Sequence, residues 1–417
     1  MNIVFVSKEC PPSPRSCGIG TYVWETGRAL AHIGHKVTII AASDNGQLTS
    51  STPSPQMTVI RLPDDELGVE KRNIVKRTFR APYEQGIAYR KRVAECITTL
   101  IDNHRPDVIE FPGFRGESAM WLAGQRQLPM VVRMHGFTAG TDAVWKDYVC
   151  ATRRLRINWE RQEVSAADVV TVVSEYQASL VRTRFGADRI RVVHNSIDGD
   201  RWRKLSVDAT QGVDPTDILF VGSLLTKKGI FVLLRAASRL RETGWRGRLV
   251  VAGPTTPQFE RFIRLRAALG RKLPDWVVHI GICQRERLAG LYRDAGACCF
   301  PSLVDPFPYT CLEAMACGGF VIGSLRTGMA EMLNENCGLL VPPGDVSSLA
   351  VAIHSALCMS QEERWRMKEA AQQRVHDQFD NGVIIPRLLD AYRQISIVSR
   401  NSEPSEESKS LHLGIRP

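Results

Sequence analysis

Short apolar runs alternate along the chain with segments whose apolar residues recur at the spacing of an α-helix. The first run, residues 3–7, is followed by a loop containing Pro and Gly and then by a helical pattern over residues 19–33. A second apolar run, residues 36–42, begins after the turn at Gly34. Strand, helix and strand joined in this way form a βαβ unit, so the pattern predicts a doubly wound parallel sheet.

The same alternation continues to residue 397 and predicts an α/β chain of two such sheets. Further strands are predicted at 57–62, 107–111, 130–134, 168–173, 191–194, 217–221, 248–252, 277–281, 296–300, 320–323 and 338–341. Helices are predicted at 70–100, 158–167, 230–240, 257–269, 284–295, 346–359, 361–378 and 384–397. The polar segments 44–56 and 203–216 are expected to be a loop and a linker, respectively.

Residues 300–313, which read FPSLVDPFPYTCLE, combine a strand end, a stiff loop and the start of a helix. Three prolines exclude regular structure in the loop, and a helix is predicted to begin at Tyr309 or Thr310. A free helix N-terminus beside such a loop favours anions. Two acids flank it, because Asp305 in the loop and Glu313 in the helix stand eight positions apart.

This stretch resembles the E-x7-E signature of glycosyltransferase family 4, whose members are retaining nucleotide-sugar transferases of the GT-B fold. The resemblance implies that Asp305 holds hydroxyls of the transferred sugar, that Glu313 holds the ribose, and that the loop amides touch sugar and diphosphate. Asp305 is one methylene shorter than the family's usual Glu, which leaves the identity of the sugar open. The continuation EAMACGGFVIGS and then the segment 328–331, GMAE, support the resemblance.

Three segments of the first half also resemble the family. The loop CGIGT resembles its Gly-rich first loop, with Cys17 in place of one glycine. His135 follows a predicted strand at the place where the family has a His that contacts the transferred sugar. The segment NSID resembles the family's N-G-V-D, which marks the end of the first domain, with Ser196 where Gly is usual.

The segment GSLLTKKG at 222–229 resembles the family's G-R-L-x-x-x-K-G. Lys228 matches the lysine that neutralises the diphosphate, whereas Ser223 stands at the arginine position. This departure removes one cation from the leaving group, so either Lys227 substitutes for it or donor binding is weaker.

These matches define the expected site. The expected catalytic residues are His135, Lys228 and Asp305. Donor contacts are expected from Gly18, Gly222, Ser223, Lys227, Lys228, Gly253, Phe307, Pro308, Tyr309, Thr310, Glu313, Gly328 and Glu331. The amides of 328–331 are expected to form a phosphate-binding loop.

The resemblance also implies two Rossmann-like domains with the active site in the cleft between them. We predict an acceptor-binding domain over residues 1–205 and a nucleotide-sugar-binding domain over residues 206–380. A last helix, 381–398, is expected to cross back to the first domain. Residues 399–417 have no core pattern and are expected to be disordered.

Composition narrows the class of protein. With 417 residues, 44% apolar and 24% charged, the chain resembles ordinary globular proteins, and no apolar run is long enough to span a membrane. The first residues form a strand pattern rather than a signal peptide. The cysteine count, 11, is odd and shows no metal-ligand spacing. Reduced, mostly buried thiols and a cytoplasmic location are therefore expected.

The net charge of +10 favours anionic partners, and residues 1–205 contain 29 Lys and Arg against 22 Asp and Glu. No basic run interleaved with aromatic residues indicates nucleic acid. A basic face predicted on the helix at 70–100 is either a solvated face or a surface for anionic lipid. It comprises Lys71, Arg72, Lys76, Arg77, Arg80, Arg90, Lys91 and Arg92.

The implied chemistry is transfer of a sugar from a nucleotide-diphosphate donor to a glycan, a lipid-linked acceptor or a small molecule. Lys228, the helix N-terminus at 309–313 and the amides of 328–331 are expected to stabilise the leaving diphosphate without metal or another cofactor. Two alternatives stay open: a nucleotide-sugar 2-epimerase on the same fold, and a non-catalytic nucleotide-sugar-binding subunit.

Overall fold

The computed structural model describes residues 1–13, 17–64, 81–124, 128–138, 151–210, 212–270 and 272–401. Its strands lie in two separate sheets that follow one another along the chain. The prediction of two parallel-sheet α/β units is confirmed.

The first sheet is parallel except at one edge. Its strands are β1 (Asn2–Val6), β2 (Lys36–Ala42), β3 (Thr49–Ser54), β4 (Met57–Leu62), β5 (Val108–Pro112), β6 (Met130–Met134), β7 (Val169–Val172) and β8 (Ile190–Val192). They are ordered β3-β4-β2-β1-β5-β6-β7-β8, and only β3 and β4 pair antiparallel.

The second sheet is entirely parallel. Its strands are β9 (Ile218–Val221), β10 (Leu249–Ala252), β11 (Val277–Gly281), β12 (Ala297–Phe300), β13 (Val321–Ser324) and β14 (Leu339–Val341). They are ordered β11-β10-β9-β12-β13-β14.

Helices cover the faces of both sheets. They are α1 (Gly18–His32), α2 (Ala81–His104), α3 (Ala119–Leu122), α4 (Ala151–Ala166), α5 (Glu175–Phe185), α6 (Gly199–Asp208), α7 (Ile230–Glu242), α8 (Pro257–Ala268), α9 (Arg285–Asp294), α10 (Tyr309–Ala316), α11 (Met329–Met332), α12 (Val346–Cys358), α13 (Gln361–Gln378) and α14 (Asn381–Asn401). None of these helices combines the length and apolar content needed to cross a bilayer.

Burial on both faces explains why most strands are continuous apolar runs rather than alternating ones. β1, for example, is buried from its second residue onward. Buried apolar residues form one cluster on each face of each sheet. α14 packs Ile385, Leu388 and Tyr392 into the cluster of α1 and β1, so the last helix lies on the first sheet.

The join between the two units is compact. Ile197 and Asp380 form an isolated parallel bridge, and the Asn381 amide donates to the Ile197 carbonyl at 3.0 Å. The predicted domain boundary at 205/206 falls inside α6, whose Trp202 lies in a cluster of the second sheet. The segment 203–216 is therefore helical over its first part rather than a linker throughout.

Some local predictions were wrong. The loop expected at 44–56 contains β3, an exposed edge strand rich in Ser and Thr that carries no apolar alternation. The segment 328–331, expected as a loop, contributes to the short helix α11. α3 and α5 were missed, and Cys17 and Cys358 are exposed rather than buried thiols.

Two predictions lie wholly or partly outside the described residues. The part of the predicted basic face at residues 71–80 lies outside them. Of the tail predicted to be disordered, only residues 399–401 are described, and they form the end of α14.

Candidate active site

The loop between β12 and α10 lies at the carboxyl edge of the second sheet, where ligands of α/β sheets gather. α10 begins at Tyr309 directly after Pro308, and no side chain caps its N-terminus. The missing cap leaves the positive end of the helix dipole facing the cleft. Gly328 packs so tightly against this loop that a Cβ there would lie 1.6 Å from the Pro306 carbonyl oxygen.

Asp305 and Lys228 form an ion pair at the centre of this site. The Lys228 Nζ lies 2.6 Å from the Asp305 Oδ2, and the Ser302 hydroxyl also donates to that oxygen at 3.2 Å. Asp305 is 5% exposed. Lys228 ends a tight 3-10 turn after β9. The two expected catalytic residues are thus brought together, and a diphosphate would compete with Asp305 for the ammonium group.

Lys227 lies on the other side of the turn and faces the first domain. Burial and the neighbouring Lys228 lower its pKa, while Asp305 and the Cys17 thiol oppose the shift. The Lys227 carbonyl accepts the Leu303 amide at 2.7 Å and so anchors the loop before Asp305. Lys227 therefore places a second positive charge on the cleft side of the turn, whereas Ser223 has no charge.

Glycines line the floor of the site. Gly222 and Gly253 follow neighbouring strands β9 and β10, and a Cβ on Gly253 would lie 2.2 Å from the Gly222 carbonyl oxygen. Both have positive φ, 149° and 135° respectively. Gly18 begins α1 and has nothing within 4 Å of where a Cβ would lie. The strand ends can thus approach closely, while the α1 end stays open.

Glu313 lies one helical turn beyond Tyr309, on the face of α10 toward α9. The Tyr292 hydroxyl donates to its Oε2 at 3.0 Å. Burial raises the pKa of Glu313 to about 7, although Tyr292 and Arg285 act in the opposite direction. Arg285 in turn pairs with Glu25 of α1 at 2.6 Å, so the two domains meet beside Glu313.

His135 enters the cleft from the first domain, directly after β6. Its ring centroid lies 4.5 Å from that of Tyr22. Burial and the nearby Arg133 hold the pKa of His135 well below its usual value. The imidazole is therefore neutral near pH 7, with one ring nitrogen that can donate a hydrogen bond and one that can accept a hydrogen bond.

The chain is recognised by two family models. Residues 17–201 match "Glycosyltransferase Family 4" and residues 205–374 match "Glycosyl transferases group 1". A D-inositol 3-phosphate glycosyltransferase of Kribbella flavida is 30% identical over 379 residues, 85% of each chain. This chain is a group 1 glycosyltransferase.

Other relatives agree. A glycogen synthase of Mycobacterium tuberculosis is 28% identical to this transferase over 413 residues, 97% of each chain. The solved sucrose-phosphate synthase of Thermosynechococcus elongatus shares its fold with a TM-score of 0.76, at 23% identity over 95% of this chain and 99% of that one. The transferase is therefore a GT-B enzyme that uses a nucleotide sugar.

The structure places Glu331 of the transferase differently from its expected donor contact. Its carboxylate accepts the Glu175 and Tyr176 amides of α5 at 3.0 Å each, and the His194 Nε2 lies 3.1 Å away. The amides of 328–331 are already hydrogen-bonded within the protein, to Asp305, Thr327 and Gly328. Glu331 thus joins the second domain to the first, and the phosphate loop expected here is not available in this arrangement.

The side chains of Phe307 and Tyr309 pack against residues of the first domain. The Phe307 ring packs on His194 with centroids 4.9 Å apart, and the Tyr309 ring packs against the α1 and β1 cluster. Donor contacts from these two residues would come from their backbone. Thr310 is partly exposed beside them.

Two residues near the site were missed from the sequence. Arg133 interrupts the apolar strand β6, and Asn195 begins the NSID segment. A buried arginine inside an apolar run was the one available signal, because charged residues are rarely fully buried unless paired. Among the described residues, no group of three or more His, Cys, Asp and Glu side chains is placed to hold a metal ion.

Replacing Glu331 with glutamine tests its domain-joining position. Burial alone raises the pKa of Glu331, but hydrogen bonds from His194 and the two amides outweigh it, so the pKa is lowered. We expect the change to reduce the free energy of unfolding by about 1–2 kcal/mol, since it removes an anion from the α5 N-terminus. Thermal unfolding should show this difference in stability between the variant and the wild type above pH 5. The difference should disappear as the pH falls through the pKa of Glu331 in the folded protein.

Affinity for nucleoside diphosphate should stay unchanged in the same variant. Glu335→Gln, an exposed acid nearby in the chain, is the matched control. A large loss of nucleotide affinity with unchanged stability would show that Glu331 binds donor instead.

Proposed function

We propose that the transferase moves a sugar from a nucleotide-diphosphate donor with retention of configuration and without a metal ion. The observation that supports this most is the convergence of Lys227, Lys228 and the uncapped α10 N-terminus around Asp305. Fixed positive charges thus surround the place where the leaving diphosphate would lie.

The chemistry follows from where charge develops. The bond from the anomeric carbon to the diphosphate oxygen breaks, so that the sugar gains positive character and the diphosphate gains negative charge. An acceptor hydroxyl oxygen then bonds to the anomeric carbon, and its proton passes to the departing diphosphate. Lys228 would break its ion pair with Asp305 and bind the diphosphate. The Asp305 carboxylate would then be free to accept hydrogen bonds from the sugar hydroxyls. Glu313 would accept the ribose hydroxyls, and neutral His135 would contact the sugar from the first domain.

We further propose that the acceptor is a small polyol or sugar that bears a phosphate. The relatives include D-inositol 3-phosphate glycosyltransferases, and a trehalose-phosphate synthase of similar fold was solved in complex with glucose-6-phosphate. Arg115, in the first domain, lies close enough to Lys227 to lower the pKa of that lysine. The Arg115 backbone also has a positive φ of 64°, a strained conformation that is typical of residues at functional sites. A glucan acceptor is the second candidate, because the glycogen synthase relatives match over nearly the whole chain.

The test is a release assay over UDP-, GDP- and ADP-sugars with glucose 6-phosphate, D-inositol 3-phosphate or glycogen as acceptor. We expect nucleotide release to require a phosphorylated acceptor and to persist in a metal chelator. NMR of the product should show the donor's anomeric configuration.

The outcomes separate the alternatives. Acceptor-independent nucleotide release would favour the 2-epimerase, and tight nucleotide binding without any turnover would favour the non-catalytic subunit. Activity on glycogen alone would select the glucan acceptor, and loss of activity in chelator would refute metal independence.

Lys227→Ala tests whether this lysine replaces the cation missing at Ser223. Because Lys227 is partly buried and faces the cleft, we expect the dissociation constant for nucleoside diphosphate to rise about tenfold. Isothermal titration calorimetry measures this dissociation constant. Lys204→Ala, which removes an exposed lysine of α6, is the matched control. Equal affinities for the two variants would show that Ser223 is uncompensated.

A further inference from the structure

Arg133 is a buried arginine in the middle of the first sheet. It lies in β6, two positions before His135, and is only 1% exposed. It is among the largest fully buried side chains of the described residues. Its guanidinium carbon lies 4.3 Å from the Tyr22 ring centroid, and the same ring contacts His135. The guanidinium and the His135 imidazole therefore contact the same tyrosine ring.

The guanidinium reaches the segment that joins the two domains. Its Nη2 donates to the Val193 carbonyl at 2.9 Å, to the His194 carbonyl at 3.2 Å and to the Asn195 Oδ1 at 3.2 Å. One end of a rigid, planar group thus fixes three consecutive residues of the connection. This orients the Asn195 amide, because its oxygen faces Arg133 and its nitrogen faces the other way.

The Asn195 amide nitrogen continues the chain of contacts into the second domain. Its Nδ2 donates to the Phe307 carbonyl at 3.1 Å, and Asn195 is 4% exposed. Phe307 lies in the loop between Asp305 and Thr310. An unbroken, buried path of hydrogen bonds therefore connects the strand before His135 to the loop that carries Asp305.

The arrangement is costly if it serves stability alone. The Arg133 Nε and Nη1 have no hydrogen-bond partner in the described part of the chain. Buried donors without partners cost free energy, and this cost stands against the favourable charge interaction of Arg133 with buried Glu110 on β5. Such a departure from local rules is expected where a site needs it.

We propose that Arg133 and Asn195 are positioning residues that hold the Phe307 loop in register with His135. This inference rests on the proposed function, since it concerns alignment of the two halves of that site. The donor binds mainly to the second domain, through Lys228 and Glu313, whereas the Arg133 path crosses between domains. Breaking the path should therefore slow turnover more than it weakens donor affinity, which depends also on Lys228, Lys227 and Glu313.

Two conservative variants interrupt the path at different places. Asn195→Asp keeps the oxygen that faces Arg133 but loses the N–H that donates to Phe307. Arg133→Lys keeps the charge but loses the planar fork. We expect each to lower kcat about ten- to a hundredfold, since small misplacements of reacting groups cost that much. The dissociation constant for nucleoside diphosphate should rise by less, about fivefold at most.

The double variant provides the sharper readout. Because both residues act in one path, the double variant should lose no more kcat than the worse single variant. Ser118→Ala is the matched control: it removes another buried hydrogen bond of the first domain, from the Ser118 hydroxyl to Glu163, off the path to Phe307. It should lower the melting temperature and leave kcat within about twofold.

Hydrogen exchange gives a readout that does not need activity. In Asn195→Asp, the Cys311 and Gly328 amides, which donate to the Pro308 and Asp305 carbonyls of this loop, should exchange faster, while those of β14 should not change. Additive losses of kcat, unchanged exchange, or kcat losses matched by Ser118→Ala would each overturn the inference. A wild-type enzyme with no transferase activity would refute the proposed function, whereas the exchange result would still decide whether the path holds the loop.

Discussion

Replacing Asp305 with asparagine should reduce kcat about a hundred- to a thousandfold, the largest effect we expect from any single change. The carboxylate is almost fully buried and pairs with Lys228 at 2.6 Å. An amide keeps the shape but removes the charge that pairs with Lys228 in the free enzyme and that would stabilise the positive sugar of the transition state. Steady-state kinetics at saturating donor measure the loss.

Asp217→Asn is the matched control, because it changes an ion pair of the same length outside the cleft. Asp217 is 1% exposed and lies 2.6 Å from Arg248. This variant should lose stability, seen in thermal unfolding, and keep kcat. If Asp305→Asn retained more than about a tenth of wild-type kcat, Asp305 would not be the sugar-orienting group.

Much of the fold was predictable because each parallel strand is an apolar run bounded by polar or turn residues. The predicted limits of β4, β6 and β11 coincide with those observed. Since ligands of α/β sheets gather at strand ends, His135 could be singled out from its place after β6, whereas Lys228 was expected only from the family resemblance. The apolar runs and the residues that follow them are local features, so a short stretch of sequence is enough to predict them.

What escaped prediction depends on partners far along the chain. Glu331 reaches residues 155 and 156 positions away, and Asn195 reaches Phe307 across 112 positions. No periodicity encodes such contacts. β3 was missed for a different reason, because an exposed, hydroxyl-rich edge strand has no apolar face to reveal it.

Lowering the pH from about 8 to about 6 should weaken nucleoside diphosphate binding about tenfold, because Glu313 takes up a proton over that interval. Burial raises the pKa of Glu313 to about 7. Its carboxylate, which accepts ribose hydroxyls under the proposed function, is largely ionised above that pH and protonated below it. Affinity is therefore present at higher pH and lost as the pH falls.

Tyr292→Phe should shift this dependence in a defined direction. The Tyr292 hydroxyl donates to Glu313 and lowers its pKa, as Arg285 does by its charge, whereas Glu25 raises it. Without the hydroxyl, the pKa of Glu313 rises and the loss of affinity begins at a higher pH. Calorimetric titrations of nucleoside diphosphate at several pH values measure the midpoint.

Glu313→Gln separates the protein's titration from that of the ligand, whose terminal phosphate also takes up a proton in this range. In this variant affinity should be low at every pH and should follow only the ligand. Subtracting its profile from that of the wild type isolates Glu313, and Tyr292→Phe should move only the isolated part. Parallel profiles for wild type and Glu313→Gln would mean that the carboxylate does not contact the nucleotide, and the assignment of Glu313 to the ribose would be wrong.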